Sequence, residues 1–205
     1  MMLLSALPLM GGAQLDTTGL RLGSLRVGPA VTGTSLMAAG SVLTFVPAAH
    51  GLADRVHDGL VSADLPKMHF DDYVMYLNMA APITLKLCGV ESRHPLGRMA
   101  LLEGGSYLLG TGWLNALKYT TDVLRPDGRA FTSFPSGHTF LAFTGAELLR
   151  REYGDDYPWI AVAGYAVATV VALMRVYNNR HWVGDVLAGA GLGIMSVTLV
   201  YWALD

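Results

Sequence analysis

The sequence predicts an all-α protein, a six-helix transmembrane bundle with a polar site gathered at one membrane face. Three observations predict it. The chain is 52% hydrophobic and only 15% charged, with a mean hydropathy of +0.40, which is apolar for an ordinary soluble domain. Six apolar stretches, joined by short polar links, approach the length of a bilayer crossing. Polar and cationic residues concentrate in two segments, 118–134 and 175–181, which an even number of crossings places on the same side.

At 205 residues one domain is the default. An N-terminal segment, 1–30, precedes a membrane domain, 31–205, whose chemistry-bearing core is 118–185. Residues 1–14 (MMLLSALPLMGGAQ) have a short apolar core and a small-residue end, but no Lys or Arg precedes the apolar run. A signal and an interfacial terminus both fit. Residues 16–28 are mixed and Gly-rich, the pattern of extended or loop chain.

The first span is 31–49. Segment 51–72 mixes both signs of charge, with Arg55, Asp58, Asp64, Lys67 and Asp71. It reads as a surface segment, a candidate amphipathic helix at the interface. The second and third spans are 73–90 and 99–117. The fourth begins at Pro135 and runs to 149, then 150–156 forms a charged turn with Gly154 as a helix stop. The fifth span is 159–174. Its Val-rich run lies inside a stretch too long for a strand. The sixth, 181–204, carries Gly184, Ala188, Ala190 and Gly191, small residues that let helices pack closely.

Lys86, Glu103 and Glu147 fall toward the opposite ends of their helices from the polar loops and read as interfacial charges that snorkel or pair. His50, His57, His69 and His94 lie in links without metal-ligand spacing and read as surface residues. Cys88 is the single cysteine and permits no internal disulfide. A net charge of -2 argues against a nucleic-acid surface.

The polar segments hold a constellation suited to a dianionic phosphate. His181 and Asp185 share one helical face, so the carboxylate can accept from one ring nitrogen and leave the other as base or nucleophile. Pro135-Ser136-Gly137-His138 reads as a helix start. Its first amides point outward as an anion site, and Ser136 can cap the helix or donate to an oxygen. Gly137 lets the backbone approach a ligand closely. Lys118, Arg125 and Arg175 can surround non-bridging oxygens, the arginines with paired planar donors. The cations come from side chains, so the reading calls for no metal and no cofactor.

This pattern resembles the type 2 phosphatidic acid phosphatase family, which shares its fold with the vanadium haloperoxidases. That family has a lysine, six intervening residues and Arg-Pro; then Pro-Ser-Gly-His; then Ser-Arg, five residues, His, three residues and Asp. Lys118 through Arg125-Pro126, Pro135 through His138, and Arg175 through His181 to Asp185 match in order and spacing. Met174 stands where the family usually has serine, which puts one polar contact in question and keeps every charged position. The resemblance implies that His181 attacks phosphorus and His138 protonates the leaving group; spacing alone would allow the reverse.

The function expected is a metal-independent phosphatase. It would act on a lipid phosphate or pyrophosphate (phosphatidic acid-like, polyprenyl pyrophosphate or lipid A phosphate) through a phosphohistidine. A vanadate-dependent haloperoxidase and a non-catalytic lipid-phosphate-binding protein are the alternatives. The expected partners are the lipid substrate and the bilayer; the sequence leaves the oligomeric state open. Arg21, Arg26, Arg93, Arg98, Arg150 and Arg151 lie on the side away from the site, which by the positive-inside rule turns the site outward. The expected location is a bacterial inner membrane with the site facing the periplasm. A cleaved signal followed by six full crossings would turn it inward instead.

Overall fold

The computed structural model describes residues 14–16, 19–22, 25–62 and 67–205. Most of the signal-like stretch therefore lies outside the described residues. A small antiparallel sheet comes first, β1 (Gln14–Asp16), β2 (Gly19–Leu22) and β3 (Leu25–Arg26), in the order β1-β2-β3. Gln14 pairs with Arg21, and Arg21 with Arg26. Seven helices follow among the described residues: α1 (Val27–Phe45), α2 (Pro47–Val61), α3 (Asp71–Leu87), α4 (Leu96–Thr120), α5 (Gly137–Tyr153), α6 (Pro158–Tyr177) and α7 (Val183–Leu204). They are the six expected spans plus the amphipathic segment, which forms α2.

The first span ends earlier than its hydropathy suggests. Val46, which precedes Pro47, is extended at φ -102° and ψ 109°, as a residue before proline tends to be. The chain bends by 99° there. The apolar face of α2 packs on α1, α6 and α7, burying Ala53 and His57. His57 is thus a core residue, not a surface one, with its ring 4.8 Å from that of Trp182.

By length and composition, α6 and α7 can each cross a membrane, and α1 with α2 qualifies only as a bent pair. The other helices are more polar. For α5 this follows from its place: it packs against α3, α4, α6 and α7, and most of its residues are buried and none is exposed. A helix sheathed by others answers to hydrogen-bonding partners rather than to lipid. Glu147 of α5 is fully buried, pairing with Arg150 and Arg151 and accepting from the Tyr165 hydroxyl at 2.6 Å. Arg150 and Arg151 therefore turn into the bundle rather than standing as turn charges. Asn78 of α3 ties three helices together, donating to the carbonyls of Ala142 (3.1 Å) and Gly164 (2.8 Å). Glu103 is buried too, rather than interfacial.

A close backbone approach joins α1 to α7. A Cβ built on Gly40 would lie 2.5 Å from the carbonyl of Gly184, and one on Gly191 would lie 2.5 Å from the carbonyl of Gly33. Only glycine admits that approach, the packing that small residues allow inside a bilayer.

Candidate active site

At one end of the bundle the C-termini of α4 and α6 meet the N-termini of α5 and α7. Helix termini set the charge pattern: Lys118 and Arg175 stand in last turns, Asp185 in a first turn, each favourable to the local dipole. The loop between α4 and α5 folds back over this end. Arg125 N–H donates to the Ala130 carbonyl, and Gly128 N–H to the Arg125 carbonyl, both at 2.9 Å. Gly128 turns at φ +72°, a conformation natural to glycine. Trp182 Nε1–H holds the loop by donating to the Leu124 carbonyl at 2.9 Å.

The structure brings every residue expected at the site to this end. His181, in the short link before α7, is 1% exposed, with Nδ1 3.3 Å from Asp185 Oδ2. The same oxygen accepts the Trp182 amide at 2.9 Å and the Ser133 hydroxyl. Three donors thus fix one carboxylate oxygen, and that oxygen fixes the imidazole. Burial pushes the pKa of His181 down to about 4, against the opposing pull of Asp185, so the ring is neutral at physiological pH.

Ser136 occupies the N-cap of α5 without capping it. Its amide donates to the Asp185 carbonyl at 2.9 Å, and its hydroxyl accepts from Thr139 at 3.0 Å. The anion-facing amides expected at Ser136 are therefore reduced to those of Gly137 and His138, first-turn groups without an intrahelical carbonyl. A Cβ on Gly137 would meet only ordinary contacts, Leu114 at 3.6 Å and Lys118 Cε at 4.0 Å. The protein's own packing does not demand glycine there.

The cations differ in their engagement. Lys118 Nζ donates to the Thr132 carbonyl at 2.8 Å. Arg175 is buried, and its Nη1 meets Asp71 Oδ2 at 2.8 Å and Asp72 Oδ1 at 2.9 Å. The Nε of Arg175 and the Nε of Arg125 are both buried without a partner. His138 Nε2 lies 2.8 Å from Asp72 Oδ1.

Sequence reading missed three residues. Asp71 and Asp72 open α3, and their contacts with Arg175 and His138 join residues far apart in the sequence. Ser133, fully buried beneath Asp185, is one hydroxyl in a polar loop. The adjoining acidic pair before an apolar run was the only local sign of the first two.

The profile of the PAP2 superfamily matches residues 100–205. A lipid A 1-phosphatase of Porphyromonas gingivalis is 41% identical over 136 residues, covering 66% of this chain and 31% of that protein. The chain thus spans under a third of that relative's length. Among solved structures, the crystal structure of Aquifex aeolicus LpxE aligns with a TM-score of 0.59 at 22% identity, over 73% of this chain and 94% of that one. The transmembrane PAP2-type phosphatidylglycerolphosphate phosphatase of Bacillus subtilis aligns at 0.52 and 20% identity, over 84% and 93%. These two likenesses speak for the fold, a helix bundle. The profile match takes in all the site residues except the α3 carboxylates, and the chain belongs to the PAP2 superfamily.

Proposed function

We propose that this chain is a phosphatase of membrane lipids that removes a phosphate or pyrophosphate group without a metal ion, through a phosphohistidine on His181. The observation that carries this reading is the pair of buried, unpartnered donors, Arg125 Nε and Arg175 Nε, at the end of the bundle where His181 is oriented. Buried polar groups are nearly always satisfied, and these two match the planar paired recognition of a phosphate. Nη1 of Arg175 is committed to Asp71 and Asp72, which leaves the Nε edge of the guanidinium for the ligand.

In this reading Lys118, Arg125 and Arg175, with the amides of Gly137 and His138, neutralise the dianion. His181, its Nδ1 held by Asp185, attacks phosphorus through Nε2. His138, held by Asp72, donates a proton to the departing oxygen and later takes one from the water that cleaves the phosphohistidine. Ser136 shapes the start of α5 beneath the phosphate. Residues 31–205 form the phosphatase domain, with the segment 1–30 as an addition to it. The lipid A 1-phosphatase relative favours lipid A phosphate as substrate, beside phosphatidic acid-like lipids and polyprenyl pyrophosphate. The site faces the periplasm from a bacterial inner membrane.

The test is phosphate release by purified protein from phosphatidic acid, a polyprenyl pyrophosphate and lipid A, in excess EDTA. Release is expected from at least one, with inhibition by vanadate and an acid-labile phosphoprotein on rapid quenching. Both the turnover and the phosphoprotein should vanish in His181→Ala. Activity lost in EDTA and restored by Mg²⁺, or a His181→Ala variant retaining about a tenth of the rate, would overturn the mechanism.

A further inference from the structure

We propose that an acyl chain of the lipid substrate lies in a cleft walled by α1 and α4 and floored by α7. This inference rests on the lipid phosphatase reading and adds the place of the tail. The backbones of α1 and α4 both pack on α7, yet nowhere come together among the described residues. Between them opens a cleft of about 380 Å³, lined by Met37 and Ser41 of α1, Trp113 of α4, and Met195 and Leu199 of α7.

Its chemistry suits hydrocarbon. Three hydroxyls line it, and each is spent on the protein: Thr34 on the Met195 sulfur at 3.4 Å, Ser41 on the Met37 carbonyl at 2.9 Å, Ser196 on the Leu192 carbonyl at 2.7 Å. No hydroxyl there needs an outside partner. Met37 and Met195 give adaptable walls of the kind that accept a flexible chain.

The cleft lies next to the phosphate end, separated from it by one packed cluster. Leu192 on its floor packs in one cluster with Leu114 and Phe140. Leu114 in turn lies 3.6 Å from where a Cβ on Gly137 would stand, beside Lys118. By helix rise, Trp113 sits about 8 Å along α4 from Lys118, and Leu192 about 10 Å along α7 from Asp185. A lipid whose phosphate meets Lys118 and His181 thus has its tail directed down this cleft, which opens sideways to the bilayer between α1 and α4.

Two variants fill the cleft from its exposed lip, Ala38→Trp and Thr34→Trp, and Ala163→Trp on the outer face of α6 is the control. Purified proteins are assayed on dioleoyl- and dihexanoyl-phosphatidic acid. The fillers should lower kcat/KM for the dioleoyl substrate about tenfold and leave the dihexanoyl substrate and the control unchanged. An unchanged ratio in every folded filler variant would overturn the proposal. In parallel, phosphatidic acid bearing a diazirine on its acyl chain is photolysed with wild-type protein and the adducts mapped. Adducts at Met37, Met195 and Leu199 are expected; adducts spread over the outer face of α6 would overturn the cleft. If wild type releases no phosphate from any lipid while the adducts fall in the cleft, the phosphatase reading fails and the tail site stands.

Discussion

Asp72 Oδ1 lies 2.8 Å from His138 Nε2, and the same oxygen meets Arg175 Nη1 at 2.9 Å. One carboxylate at the start of α3 therefore holds both the histidine read as proton donor and an arginine read as phosphate ligand. Replacing it tests whether these two act through a shared anchor.

Asp72→Asn keeps the shape and removes the charge. Turnover should fall about a hundredfold, the scale of general acid–base catalysis, with a smaller change in KM because Asp71 still holds Arg175. Steady-state kinetics of the purified variant checks this. An unchanged kcat would mean that His138 needs no carboxylate.

Gly137→Ala separates packing from ligand approach. The added methyl meets only Leu114 and Lys118 at ordinary contact distances, so the melting temperature should hold, with a change within about 0.5 kcal/mol. If phosphate rests on the first-turn amides of α5, kcat/KM should nonetheless drop about tenfold or more. A variant as active as wild type would place the anion elsewhere.

The pH response follows from His181, whose pKa burial lowers to about 4. The unfolded chain takes up this proton below about 6.5, whereas the folded ring stays neutral until about pH 4. Between those values the unfolded state binds more protons, so this group's contribution to stability is full above about 6.5 and falls as the pH drops through the window. With the neutral ring as the proposed nucleophile, the acid limb of kcat/KM should fall near pH 4. Thermal melts of wild type and His181→Ala measure the first effect, and the pH–rate profile of wild type the second. A limb assigned to His181 at the ordinary histidine value would contradict a buried neutral ring.

Sidedness is open to labelling. Arg129 is exposed in the loop over the site, and Asp155 is exposed in the turn between α5 and α6 at the other end. With Cys88→Ala as background, a cysteine at 129 should react with an impermeant thiol reagent on whole cells, and one at 155 should not. The reverse pattern would turn the site to the cytoplasm, and labelling of both would mean that the helices do not span the bilayer.

Much of this protein was determined by local sequence alone. Apolar stretches of near-crossing length announce helices, because a backbone in lipid must satisfy its own hydrogen bonds. Lys118, Arg125, His138, Arg175, His181 and Asp185 could be assigned to one end by counting crossings, since successive helices alternate in direction. What pattern could not give depends on which helices touch. Asp71 and Asp72 look like the solvated start of a helix until α3 packs on α5 and α6 and sets them against His138 and Arg175. His57 counts as a surface residue until Pro47 turns α2 across the bundle end and lays it on Trp182. Glu147 passes for an interfacial charge until α5 is enclosed and gives it Arg150, Arg151 and Tyr165. A polar side chain reads the same from sequence whether its partner is water or another helix; its burial, and so its role, is decided only when the helices meet.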